Sequence, residues 1–133
     1  MPATALHTTT MIATAAQAVR MGYPFESVEH LAKQLGTSTD TVLKYAGLSR
    51  STIRGRALAK EPLSRTESDQ IYRLQRALER ASAVFGDEVA AVGWLRHPQR
   101  ALGNIEPLSL VDTTPGFEQL MDELGRIEYG SLA

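Results

Sequence analysis

At 133 residues the chain suits one domain or two small ones, and 43 % apolar residues supply a modest core. It contains no cysteine, which excludes a disulfide framework and any thiolate zinc site. No apolar run approaches the ~20 residues needed to cross a bilayer, and the N-terminus lacks the basic start of a secretory signal, so a cytoplasmic protein with no membrane partner is expected. The net charge of −1 hides a separation. Lys44 to Arg80 carries nine Lys/Arg against four Asp/Glu, whereas Ile105 to Ala133 carries one Arg against six acids. A basic middle can meet phosphates by counterion release and an acidic tail cannot, so the two parts are expected to face different partners.

Periodicity predicts helices almost throughout and no strand. An Ala-rich helix over Thr10 to Arg20 ends at Met21-Gly22. A second, starting at Phe25 or Glu26, carries Val28, Leu31, Ala32 and Leu35. A third, starting at Ser38 or Thr39, carries Val42, Leu43 and Ala46 and stops at Gly47; Ser49 then caps a fourth holding Ile53, Ala57 and Leu58. Ser64-Arg65-Thr66-Glu67 is a capping box that opens a helix with Ile71, Leu74, Leu78, Ala81 and Phe85 on one face and Arg73, Arg76 and Arg80 largely off it. Asp87 caps a helix with Val89, Val92, Trp94 and Leu95. Thr114 caps the last, with Pro115 as its first helical residue and Phe117, Leu120, Met121, Leu124 and Ile127 as its stripe.

Thr41 to Arg56, TVLKYAGLSRSTIRGR, has the spacing of a helix-turn-helix. Leu43, Ala46 and Ile53 lie where the two helices cross, Gly47 supplies the tight turn, and Leu48 fills the angle. The Ser49 cap leaves Arg50, Ser51 and Thr52 at the N-terminal end of the second helix, the end that enters a major groove, with Arg54 and Arg56 further along as expected contacts to guanine edges or phosphates. Gly55 weakens this helix by about 1 kcal/mol relative to Ala, and Arg56 stands where many such motifs bury an apolar residue. A pair kept for dimerisation alone is the alternative. His7, His30 and His97 have no metal spacing, Asp87 and Glu88 read as helix-start residues, and no phosphate-binding or dinucleotide fingerprint occurs, so neither enzyme, metal nor cofactor is expected.

The stretch RALGNIEPLSLVDTTPG, Arg100 to Gly116, has too many turn formers for one helix and too many apolar residues for a linker. Around it stand Val84-Phe85-Gly86-Asp87, Trp94-Leu95, Ala101-Leu102-Gly103, Pro107-Leu108, Thr113, Gly116 and a last helix ending Arg126-Ile127-Glu128-Tyr129-Gly130. In this order they resemble the toxin-binding domain of Xre/MbcA/ParS-type antitoxins over roughly fifty residues. Leu63-Ser64 and Glu67-Ser68 upstream resemble the antitoxins paired with RES-domain toxins. Asn104 departs from the family, which often has a second Gly there; Asn tolerates positive φ, so the turn is expected to persist.

The resemblance implies an all-α chain in three parts. Residues 1–24 would be a flanking helix, 25–80 an Xre/Cro-like helix-turn-helix domain, and 81–133 a small toxin-binding domain. It also implies an antitoxin that binds a RES-type or related NAD⁺-consuming toxin and represses its own operon; a single helix-turn-helix covers too little DNA for tight specific binding, so a homodimer reading paired half-sites on operator DNA is expected. The stretch from Arg100 would hold the final helix at a fixed angle to the Trp94 helix. Arg100, Asn104, Glu106, Asp112, Glu118, Glu128 and Tyr129 are the expected exposed, toxin-facing residues. A helix-turn-helix regulator without a toxin is the alternative.

Overall fold

The computed structural model describes residues 14–130. His7, the predicted helix start at Thr10 and the tail Ser131-Leu132-Ala133 lie outside the described residues. The described residues form seven α-helices, two 3-10 helices and no strand: α1 (14–21), α2 (Glu26–Leu35), α3 (Thr39–Ala46), α4 (Arg50–Leu58), α5 (Arg65–Phe85), α6 (Glu88–Leu95) and α7 (Thr114–Gly130), with 3-10 helices at Arg100–Leu102 and Pro107–Leu110.

Helix α5 is the axis of the molecule. Its Ser64 cap accepts from the Glu67 amide at 3.1 Å while the Glu67 carboxylate accepts from the Ser64 amide at 2.7 Å, the predicted reciprocal box. Ile71, Leu74, Ala77, Leu78 and Ala81 are buried along it, and α2, α3, α6 and α7 all pack against it. One continuous core runs from Val28, Leu31 and Leu43 through Ile71 and Leu74 to Leu95, Leu108, Leu120 and Leu124. Phe85 and Trp94 meet with ring centroids 5.6 Å apart and planes tilted by 43°, joining α5 to α6.

Three expectations are corrected. Helix α7 is capped by Thr113, one residue before the predicted cap: the Thr113 hydroxyl accepts from the Gly116 amide at 3.1 Å, and Pro115 falls in the first turn, where its missing N–H leaves no orphan. Packing decides the register, because a Cβ on Gly116 would lie 2.1 Å from the Leu110 carbonyl oxygen. On α6 the buried residues are Ala91 and Leu95, while Val89 is 80 % exposed. Arg73, expected off the apolar face, has a side chain only 14 % exposed. It flanks the stripe and turns inward because unpaired backbone carbonyls lie beside it.

Candidate functional site

Helices α3 and α4 make the predicted helix-turn-helix. Gly47 sits at φ 70°, its amide bonded to Lys44, and Leu48 bonds back to Leu43 at 2.9 Å. Ser49 then turns the chain into α4 and accepts from the Thr52 amide at 3.3 Å. Helix α4 buries only Ile53, and its main packing partner is α3. Arg50, Ser51, Thr52 and Arg54 are all exposed. Arg50 and Arg54, one helical turn apart, converge on one carboxylate in the first turn of α3: Asp40 pairs with Arg50 at 3.3 Å and with Arg54 at 3.0 Å.

Arg56 does something different. Its Nε lies 2.7 Å from Glu67 Oε1, off the N–H axis, and its Nη2 donates to Oε2 at 3.3 Å. The guanidinium therefore anchors α4 to the capping box of α5, where a DNA contact was expected of it. Burial of the Glu67 carboxyl pushes its pKa up, but the Ser64 amide and then Arg56 outweigh that, and the net direction is down.

The irregular stretch 100–113 is tied down from behind. Gln99 and Ile105 form an isolated antiparallel bridge that closes a turn in which Asn104 takes φ 62°, as expected of the residue replacing glycine. Arg73 of α5 donates to the Val111 carbonyl at 3.0 Å and the Asp112 carbonyl at 3.4 Å. The Tyr45 hydroxyl of α3 donates to Glu106 at 2.6 Å, and Arg96 donates to the Leu35 carbonyl at 3.0 Å. Glu106 is thus a half-buried tether, where an exposed contact was expected. Arg100, Asn104 and Asp112 are exposed, and the Asp112 Cβ lies 3.0 Å from where a side chain on Gly47 would begin. The back of the helix-turn-helix turn and this stretch are therefore in contact.

At the far end of α7, Glu128 accepts from Arg80 at 2.8 and 3.1 Å. That hydrogen bond lowers the pKa of Glu128 and raises that of Arg80. Glu128 was expected to be free for a partner; it is a clamp because its position on α7 brings it over α5. Glu118 and Tyr129 remain exposed, Tyr129 by 67 %.

Two domain descriptions match the chain: an antitoxin Xre-like helix-turn-helix domain over residues 14–76 and the antitoxin Xre/MbcA/ParS C-terminal toxin-binding domain over 80–130. The chain is 31 % identical over 110 residues to an antitoxin Xre of Photorhabdus laumondii, spanning 82 % of this chain and 74 % of that one. It belongs to the Xre antitoxin family. An antitoxin Xre of Yersinia enterocolitica is 26 % identical over 113 residues, spanning 84 % of this chain and 76 % of that one. A protein of Sphingobium sp. strain YBL2 named Prs ADP-ribosylating antitoxin is 22 % identical over 124 residues, spanning 86 % and 78 %.

In this chain the two matched regions meet inside α5, so one uninterrupted helix carries both halves. Sequence reasoning missed Asp40, Tyr45, Arg73 and Arg96, which do most of the tying. Arg73 had a readable signal: with Gln70 and Ala77 it forms an i, i+3, i+7 row beside the core stripe, and Gln70 also donates to a backbone carbonyl, that of Ala46, at 2.9 Å. Among the described residues no helix is long and apolar enough to cross a membrane.

Proposed function

We propose that the chain neutralises a NAD⁺-consuming toxin, of the RES type or a related one, and represses its own operon as a homodimer. Membership of the Xre antitoxin family carries this reading. The Sphingobium relative's name supports the toxin chemistry, because ADP-ribosylation takes its ADP-ribose from NAD⁺.

Arg50, Ser51, Thr52 and Arg54 form the DNA-facing surface in this reading. Arg56, paired to Glu67, positions the helix. Gel-shift titration on the duplex upstream of the chain's own reading frame tests the assignment: Arg50→Ala or Arg54→Ala costs about 1 to 3 kcal/mol where the arginine reads a guanine. Unchanged binding by both variants sinks it. A groove between α1 and α5, lined by Ala16, Val19 and Tyr72 with Arg76 and Glu79 at its edge, supplies apolar surface and both signs of charge for pairing two copies. Sedimentation at micromolar concentration checks the dimer, and a monomer with full operator affinity refutes it.

Arg100, Asn104, Asp112, Glu118 and Tyr129 are the toxin-facing candidates. A toxin that holds the NAD⁺ pyrophosphate needs a basic cleft, and the acidic end of α7, held in place by the Arg80–Glu128 clamp, presents Tyr129 as an aromatic anchor for it. The test is NAD⁺ consumption by the product of the adjacent reading frame, with the full chain, with Tyr129→Ala and with a chain cut after Gly125 whose helicity is verified first. Binding without suppression by the cut chain supports the plug. Full suppression overturns it.

A further inference from the structure

Two arginines one turn apart on the same helix face repel each other, and on α4 that face is the one left outside the core. Asp40 resolves the repulsion from the neighbouring helix. Arg54 Nη2 meets both carboxylate oxygens, at 3.0 and 3.1 Å, and Arg50 Nη1 meets one, at 3.3 Å. This geometry leaves Nε and Nη2 of Arg50, and Nε and Nη1 of Arg54, outside the pairing. A guanidinium has five N–H donors in a rigid fork, so Arg50 keeps its whole Nε–Nη2 edge for a guanine O6 and N7, and Arg54 keeps single donors at Nε and Nη1, while Asp40 holds the rest of each plane.

We propose that Asp40 is a positioning residue for duplex readout, holding Arg50 and Arg54 so that the pair discriminates between duplexes; the proposal rests on the DNA-facing assignment of α4 made above. A phosphate track alone gives the arginines no reason to keep their orientation, and it brings its own negative charge against the Asp40 carboxylate. A guanine in the groove accepts from the unused edges with Asp40 still in place. Asp40 therefore weakens attachment to any duplex, and weakens it least where the right base edge is present. Exposed ion pairs are weak and salt-screened, so the arrangement biases the arginines without locking them.

The experiment measures binding of the full chain to the duplex upstream of its own reading frame and to a shuffled duplex of equal composition and length, across a salt series. The proteins are wild type, Asp40→Asn, Arg50→Ala, Arg54→Ala and Glu29→Gln, the last removing one exposed carboxylate of the same lobe away from α4. Thermal unfolding is recorded for each. For Asp40→Asn the expected result is tighter binding to the shuffled duplex, with its salt slope steeper by about one as a freed arginine reaches a phosphate. Affinity for the cognate duplex should rise much less, so the preference for it falls about fivefold or more. Glu29→Gln should leave the preference unchanged. Equal tightening on both duplexes makes Asp40 a bulk charge and overturns the proposal, as does an unchanged preference. If the arginine variants keep wild-type binding, or the wild type binds neither duplex, the DNA-facing assignment itself fails and this inference with it.

Discussion

Helix α4 and the stretch 100–113 invert the usual association of regular structure with firm packing. Helix α4 is nine residues of continuous α-helix, yet it buries Ile53 alone, and its main packing partner is α3. The stretch has no α-helix at all, yet Leu102, Pro107, Leu108 and Val111 are buried in it, and Arg73 and Tyr45 bond it from two other helices. Backbone regularity and fixity of packing are separate properties. A helix proposed to enter a groove keeps its side chains outside the core, whereas a segment packed between α6 and α7 puts its own inside.

The largest test of that contrast is Gly116→Ala. Its new methyl would stand 2.1 Å from the Leu110 carbonyl oxygen and 2.9 Å from the Thr113 hydroxyl, both parts of the turn itself, so α7 has to shift off the stretch. Overpacking against backbone puts the loss at about 3 kcal/mol, read from urea unfolding. The same replacement at Gly55 of α4, where nothing lies within 4 Å, is expected to raise stability, because Ala is the better helix former. Equal effects at the two sites would erase the distinction.

Composition made legible only that the stretch is neither one helix nor a linker; its bracing of the last helix was an expectation from the resemblance. The capping box, the Ser49 and Asp87 caps and the Gly47 turn were legible too, because each depends on residues at most three apart. The ties were not. Tyr45 and Glu106 are 61 residues apart, Arg80 and Glu128 are 48, and Arg73 and Val111 are 38. No local pattern distinguishes an arginine that finds a carbonyl across the fold from one that faces solvent. Glu128 misled for that reason: an acid near a helix end reads as a free charge until the helix beneath it is known.

Of intermediate size is the tie from α3. Tyr45→Phe removes the hydroxyl that donates to Glu106 and is expected to cost about 1 kcal/mol near neutral pH. Burial first, then the Glu106 hydrogen bond, raises the pKa of Tyr45 above its ordinary 10.0, against a smaller opposing pull from Arg96. A phenol whose folded pKa is raised contributes stability that is fully present below 10.0 and is lost as pH climbs through the folded value. The gap between wild type and Tyr45→Phe should therefore be constant at neutral pH and narrow on the alkaline side. A gap that widens there would show that the hydroxyl is no tether of the stretch.

The smallest effect expected is at the loose end of α4, and it carries the opposite sign. The helix stops in a left-handed turn at Lys60, φ 57°, with the Lys60 amide bonded to the Ala57 carbonyl at 3.1 Å and the Glu61 amide to that of Arg56 at 2.8 Å. This is the double closure that glycine usually makes. A lysine there carries about 1 kcal/mol of strain from its Cβ. Lys60→Gly relieves the strain and gives back part of the gain through the greater freedom of glycine in the unfolded chain, so a net stabilisation of about 0.5 kcal/mol is expected. It should appear as a higher urea midpoint at unchanged slope. A lower midpoint would mean that the lysine stem packs on α4 after all, and that this helix is held more firmly than its single buried side chain indicates.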